Sequence, residues 1–150
     1  MAKGRASMAP SGTAPGNRVA YAPSNSALAV LEVLVHMTGG GSLPGYSLVC
    51  ASLPDSLVEV IDPADLPLRW DSSPVPPELQ AVGDAWVASA KSLALQVPSP
   101  LVPDSYNILI NPERGDFGCL TIISSEPFGE VRKKYYLRPS PSSRARCRSR

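Results

Sequence analysis

An α+β domain with small mixed or antiparallel sheets and few helices is the fold class this sequence predicts. Three observations carry that expectation. The chain has 150 residues, enough for one domain with a buried core. Only two segments have helical patterning, one from the Ser24–Ser26 caps to about Met37 and one from Glu78 to about Ala90. Six or seven short runs instead read as strands, bounded by Gly, Pro and Ser. With 17 prolines, connections should be stiff and helices short.

Along the chain, residues 1–17 are rich in Gly, Ala, Pro and Ser, and residues 1–15 are expected to be a flexible leader to the domain. Arg18–Ala22 has strand character. Ser24, Asn25 and Ser26 are N-cap candidates for the first helix, and Gly39–Gly41 stop it. Ser47–Ser52 and Leu57–Ile61 are short strand candidates. The stretch from Asp62 to Pro77 is a connector with five prolines. Pro77 suits the first turn of the second helix, in which Gly83 is a weak point. Leu93–Val97, Tyr106–Ile110, Leu120–Ser124 and Lys133–Leu137 complete the strand candidates. The domain is expected over residues 16–138, with 139–150 a disordered basic tail.

Charge narrows the partners. The net charge is +1, but Arg144, Arg146, Arg148 and Arg150 all lie in the tail. Without those four, ten basic residues face thirteen acidic ones, a net of −3. That body is a poor electrostatic match for nucleic acid, so no direct nucleic-acid binding is expected. Cys50, Cys119 and Cys147 have no CxxC spacing, and His36 is the single histidine, so no metal site is expected. No apolar run approaches the roughly 20 residues of a membrane helix. The odd cysteine count fits a reducing cytoplasm. GTAPG lacks the Gly-Lys-Ser/Thr ending of a phosphate loop, and GxSxG is absent.

Glu32, within SALAVLEVLVHM, is the most informative residue. Leu28, Leu31 and Val35 fall on one helix face, Val30 and Leu34 on another, and Val33 on a third. A helix apolar all round is expected to be buried. A carboxylate inside it needs a partner. Only His36 stands at a neighbouring helical position, so the partner must come from elsewhere in the fold or from a ligand. One reading is an active-site carboxylate; the other is a structural ion pair or a solvent-facing helix edge. The sequence leaves both open. Tyr21 is a candidate site hydroxyl or a rim residue. Ser99 follows a strand and could meet a ligand or simply cap a turn. His36 reads more simply as a satisfied structural histidine, and Trp70 and Trp86 as packing.

The stretch VAYAPSNSALAVLEVLVHM resembles the central signature of the RES family: a strand with a tyrosine, a capped turn, and a helix with A-x-x-E-x-L-x-H. Tyr21, Glu32 and His36 occupy the matching places. SLVEVIDPADLPLRW resembles the family's strand and its Pro-Ala-Asp-Leu-Pro linker. Further on, G-D-x-W, a strand ending in V-P-S, and N-x-L-x-N-P before an acidic-aromatic turn also resemble it. The likeness spans roughly residues 16–128. The resemblance implies an ADP-ribosyltransferase-like fold, with NAD⁺ held between two small sheets. It implies a toxin of a toxin–antitoxin pair that cleaves the nicotinamide–ribose bond of NAD⁺ by hydrolysis or phosphorolysis, with NAD⁺ as substrate and no separate cofactor. It further implies an Xre-type helix-turn-helix antitoxin as partner, a homodimer, and a cytoplasmic setting.

The same resemblance assigns the family's glutamate to Glu32, its tyrosine to Tyr21 and its serine to Ser99, with Ser92 as alternative. Its arginine falls on Arg5, with Arg18 as fallback. Arg5, Tyr21 and Ser99 would hold the nucleotide. Here the sequence departs from the family's G-R-W-N element, because Ala6 and Ser7 follow Gly4 and Arg5. A strand and helix usual before that element are missing as well. The expectation is therefore a truncated or divergent member. Two alternatives are an impaired relative that serves as an antitoxin-binding module and an unrelated small α+β domain.

Overall fold

The computed structural model describes residue 13 and residues 16–36 and 46–128. Arg5, the Lys133–Leu137 strand candidate and the tail at 139–150 lie outside the described residues. Within them the fold is α+β, with two helices and two small sheets. The strands are β1 (Ala20–Pro23), β2 (Ser47–Ser52), β3 (Val58–Val60), β4 (Ala94–Pro98), β5 (Tyr106–Ile110) and β6 (Thr121–Pro127). The helices are α1 (Ser26–His36) and α2 (Pro77–Ser89). Each matches a segment expected from the sequence, with ends displaced by a few residues.

The larger sheet has strand order β1-β5-β4-β3. Its pairs are antiparallel except β3 with β4, which run parallel. A parallel pair needs a crossover, and the proline-rich connector with α2 supplies it. The smaller sheet is an antiparallel ribbon of β2 and β6, with a register shift between Cys50 and Ala51.

Register decides what each face carries. Leu109 stands opposite Tyr21 on one side and Leu95 on the other. Asn107 stands opposite Pro23 and Val97. Alternation therefore puts Tyr21, Leu95, Val97, Asn107 and Leu109 on one face. Trp86 of α2 packs there against Leu95 and Leu109. Gly83 is also buried, three residues before Trp86 and so on the same helix face. The opposite face carries Ala94 and Ile110, which pack with Ala20, Ala22, Leu53, Leu57, Val58, Ile108 and Leu120. Leu53 and Leu120 are the roots of the ribbon, so the ribbon is tied to the sheet at one end.

Burial of α1 departs from expectation. Only Leu28 is buried in it, and Leu31, Leu34 and Val35 are 36%, 50% and 55% exposed. The reason is position: α1 follows β1, an edge strand, so only one stripe of the helix can reach the sheet.

Candidate active site

Local chemistry sets α1 over the end of the sheet. The Ser24 amide donates to the Tyr106 carbonyl at 3.0 Å, which prolongs the β1–β5 pairing by one step. Asn25 then caps the helix: its Oδ1 accepts from the Leu28 amide at 2.9 Å. From there the helix doubles back along the strand. Six residues of helix from Ser26 to Glu32 cover about 9 Å, and three residues of strand from Ser24 back to Tyr21 cover about 10 Å. Glu32 thus returns to the level of Tyr21.

The contacts agree with that geometry. The Tyr21 hydroxyl donates to Glu32 Oε1 at 3.0 Å. Asn107 Nδ2 donates to the same oxygen at 3.1 Å. His36 Nε2 lies 3.8 Å from Oε2, too far for a hydrogen bond. The Glu32 side chain is 12% exposed and that of His36 is 51% exposed. Glu32 is therefore a shielded carboxylate whose partners are neutral donors from two strands, with no Lys or Arg paired to it among the described residues. The structural ion-pair reading of Glu32 has no Lys or Arg to support it there, only the exposed His36 at 3.8 Å. Burial first, then the Glu32 charge and the hydrogen bond to it, push the Tyr21 phenol above its ordinary pKa. Tyr21 as a whole residue keeps 38% exposure, and water on that side softens the shift without changing its sign.

The other expected residues sort by place. Ser99 is 7% exposed and follows Val97 by two residues, at the same end of the sheet as Asn107. Its Oγ accepts from the Leu101 and Val102 amides at 3.2 and 3.3 Å, so it caps a turn. Its own hydroxyl proton has no acceptor among the described residues and remains available. Ser92 lies before β4, at the other end of that strand. It accepts from Trp86 Nε1 at 2.8 Å and donates to Glu59 at 3.2 Å, a structural bridge away from Glu32. Arg18 is exposed and has no ion pair among the described residues. His36 is not the satisfied structural histidine expected, because it is exposed and makes only the long approach to Glu32.

Asn107 is the residue that sequence reasoning missed. A signal was present: within the strand YNILI it puts an amide two residues from Leu109, on the inward face. Asparagine is depleted in strands, so its place there calls for a reason.

Two shallow cavities among the described residues lie near this region of the fold. One of about 210 Å³ opens at the end of β3 and β4, beside Gln96, Val97, Ser105 and Tyr106. Another of about 50 Å³ lies between Ala29, Val30 and Val33 of α1 and Tyr46, Ser47 and Phe128 at the open end of the ribbon. Neither is lined by Glu32. No cluster of His, Cys, Asp or Glu fit to hold a metal occurs among the described residues. No helix among them is long and apolar enough to cross a membrane.

Fold and site together define a small α+β domain with a helix-borne carboxylate held by a tyrosine and an asparagine. The RES domain family model matches residues 1–128, and this chain belongs to the RES domain family. It is 36% identical over 114 residues to "Toxin Res" of Yersinia enterocolitica, covering 75% of each chain. It is 38% identical over 104 residues to "Prs ADP-ribosylating toxin" of a Sphingobium species, covering 67% of this chain and 65% of that protein. It is 34% identical over 103 residues to "Toxin Res" of Photorhabdus laumondii, covering 68% and 65%. Membership removes the alternative of an unrelated small domain.

Proposed function

We propose that this chain is a toxin that cleaves the nicotinamide–ribose bond of NAD⁺. The observation that carries the reading is the Glu32 carboxylate, shielded on α1 and held by Tyr21 and Asn107 without a Lys or Arg partner among the described residues. Two of the relatives are named toxins and a third an ADP-ribosylating toxin, and the RES membership supports the same class.

The chemistry explains why such a carboxylate is useful. When the glycosidic C–N bond breaks, its electron pair stays with the nicotinamide nitrogen and the ring becomes neutral. The ribose carbon is left oxocarbenium-like. A carboxylate in a shielded site stabilises that positive charge. An oxygen nucleophile then bonds to the carbon. With water, the products are ADP-ribose, nicotinamide and a proton; with phosphate, the ribose keeps the phosphoryl group. A protein side chain is the third possible acceptor. In this scheme Tyr21 orients the ribose and Ser99 bonds the nucleotide through its free hydroxyl proton. Arg5 holds the pyrophosphate by paired hydrogen bonds. Loss of NAD⁺ would arrest the cell, so the scheme includes a cytoplasmic toxin restrained by an Xre-type antitoxin, acting as a homodimer.

The test is nicotinamide release from NAD⁺ by the purified full chain. It is run with and without phosphate, and with a cell extract supplying protein acceptors. Glu32→Gln keeps the shape and an acceptor for Tyr21 and Asn107 but removes the charge. The expected result is a folded variant with release reduced by at least about a hundredfold. Full turnover by Glu32→Gln would sink the role of that carboxylate.

One observation favours a second reading, that of an antitoxin-binding module without turnover. Ala6 and Ser7 stand where the family carries Trp and Asn after its arginine. A folded wild-type chain that captures an Xre-type antitoxin but releases no nicotinamide under any of the three conditions would select it.

A further inference from the structure

We infer that Asn107 is a positioning residue for this reaction: it pins Glu32 through Oε1 and so leaves Oε2 as the oxygen presented to the reacting ribose. The inference rests on the NAD⁺-cleavage reading above and deepens it.

Asn107 is completely buried, at 0% exposure. Across the ladder it faces Pro23 and Val97, and Leu109 is two residues along on the same face. A polar amide in such an apolar row is costly unless both of its ends are paired. Only one is. An ionised carboxylate can only accept, so the amide nitrogen must be the end that meets Glu32. That fixes Oδ1 on the other side, where it is buried and has no hydrogen-bond partner among the described residues. A leucine would fill this position with no polar atom left over. Among the described residues, the Asn107 side chain makes one hydrogen bond, to Glu32.

The bond has a geometric consequence. The last torsion of a glutamate is broad and roughly two-fold, so a carboxylate held at one point can exchange its oxygens. Here two donors converge on Oε1 from different strands, Tyr21 from β1 and Asn107 from β5. Tyr21 is part-exposed on an edge strand, whereas Asn107 is buried on an interior strand, so the amide is the more rigid of the two anchors. Oε2 has no donor at hydrogen-bond distance among the described residues, and His36 Nε2 stays 3.8 Å from it. Oε2 thus keeps its lone pairs for a developing cation or an attacking water, in an orientation set before substrate arrives.

The experiment compares the full-length wild type with Asn107→Ala and Asn107→Asp. Nicotinamide release is followed across NAD⁺ concentration and pH, and thermal melts check folding. Asn107→Ala should lower kcat on the order of 10- to 100-fold through misplacement of the carboxylate, while KM for NAD⁺ changes far less. Asn107→Asp keeps the shape, which guards against a variant that fails to fold. Its ionised carboxyl repels Glu32, whereas its protonated form donates as the amide does. Its activity should be nearly lost at neutral pH and peak at a lower pH than wild type. A merely structural amide would not displace the pH profile. Wild-type kcat in Asn107→Ala, or an Asn107→Asp profile parallel to wild type, overturns the role of Asn107 alone. No release by the wild type overturns the proposed reaction, and this role falls with it.

Discussion

Tyr21 and Glu32 stand eleven residues apart in sequence and 3.0 Å apart at their oxygens, because a helix that doubles back over a strand brings those positions level. The contact makes the phenol a proton holder. Its folded-state pKa lies above the ordinary value of about 10, raised by burial, by the Glu32 charge and by the hydrogen bond. The folded chain therefore binds this proton more tightly than the unfolded chain. Its contribution to stability is fully present below about pH 10 and declines as pH rises beyond it. In a tyrosinate absorbance titration, the difference between wild type and Tyr21→Phe should show one phenol that ionises above the ordinary range. A Tyr21 signal that titrates with the exposed tyrosines would remove Glu32 as its partner. Glu32 was legible because a lone acid in an apolar helix is rare enough to notice, whereas tyrosine is common in strands and Tyr21 stood out only through the family resemblance. Asn107 was not singled out, because its significance lies in a contact seventy-five residues away. Ser99 was legible as a residue but not as a turn cap, since a serine after a strand supports either reading.

At the scale of elements, patterning located both α-helices and all six strands among the described residues but none of the short 3-10 turns at Asp55–Leu57, Pro63–Asp65 and Gly115–Cys119. The stop of α2, expected at about Ala90 and observed at Ser89, has a conformation that patterning does not report. The chain leaves that helix at Ala90, whose φ of 48° is left-handed. Its amide still donates to the Val87 carbonyl, at 3.3 Å. Glycine is the usual residue there, because a Cβ crowds the backbone in this region. Alanine in place of glycine gives no sign of the left-handed turn in the sequence. Ala90→Gly should relieve the strain and stabilise the fold by ~1 kcal/mol, less whatever the freer unfolded chain takes back. The urea midpoint should rise with an unchanged slope; a lower midpoint would mean that the left-handed turn is not strained. The burial of α1 was misjudged for a related reason. Apolar periodicity reports a face able to be buried, whereas the edge position of β1 decides how much of it is covered.

Across the whole molecule, stability should be divided between the two sheets, and the division bears on the site. β4 and β5 are the interior strands of the larger sheet, and Leu93, Ala94, Leu95, Asn107, Leu109 and Ile110 are all buried there or beside them. Both hydrophobic clusters are built on these two strands. The β2–β6 ribbon has only two strands, and every residue of β6 is exposed. A two-stranded ribbon is marginal by itself, and this one is secured to the larger sheet through Leu53 and Leu120 at its root. Amide hydrogen exchange should therefore show two classes. Amides of β4 and β5 should exchange only by global unfolding, and those of β2 and β6 by a cheaper, separate opening. Protection of Asn107 should follow the β4–β5 class, so the strand that holds Glu32 stays fixed while the ribbon opens. Uniform protection across all six strands would show a single cooperative unit instead. The two-class outcome would separate the rigid strand that anchors the Glu32 carboxylate from a ribbon that opens by itself.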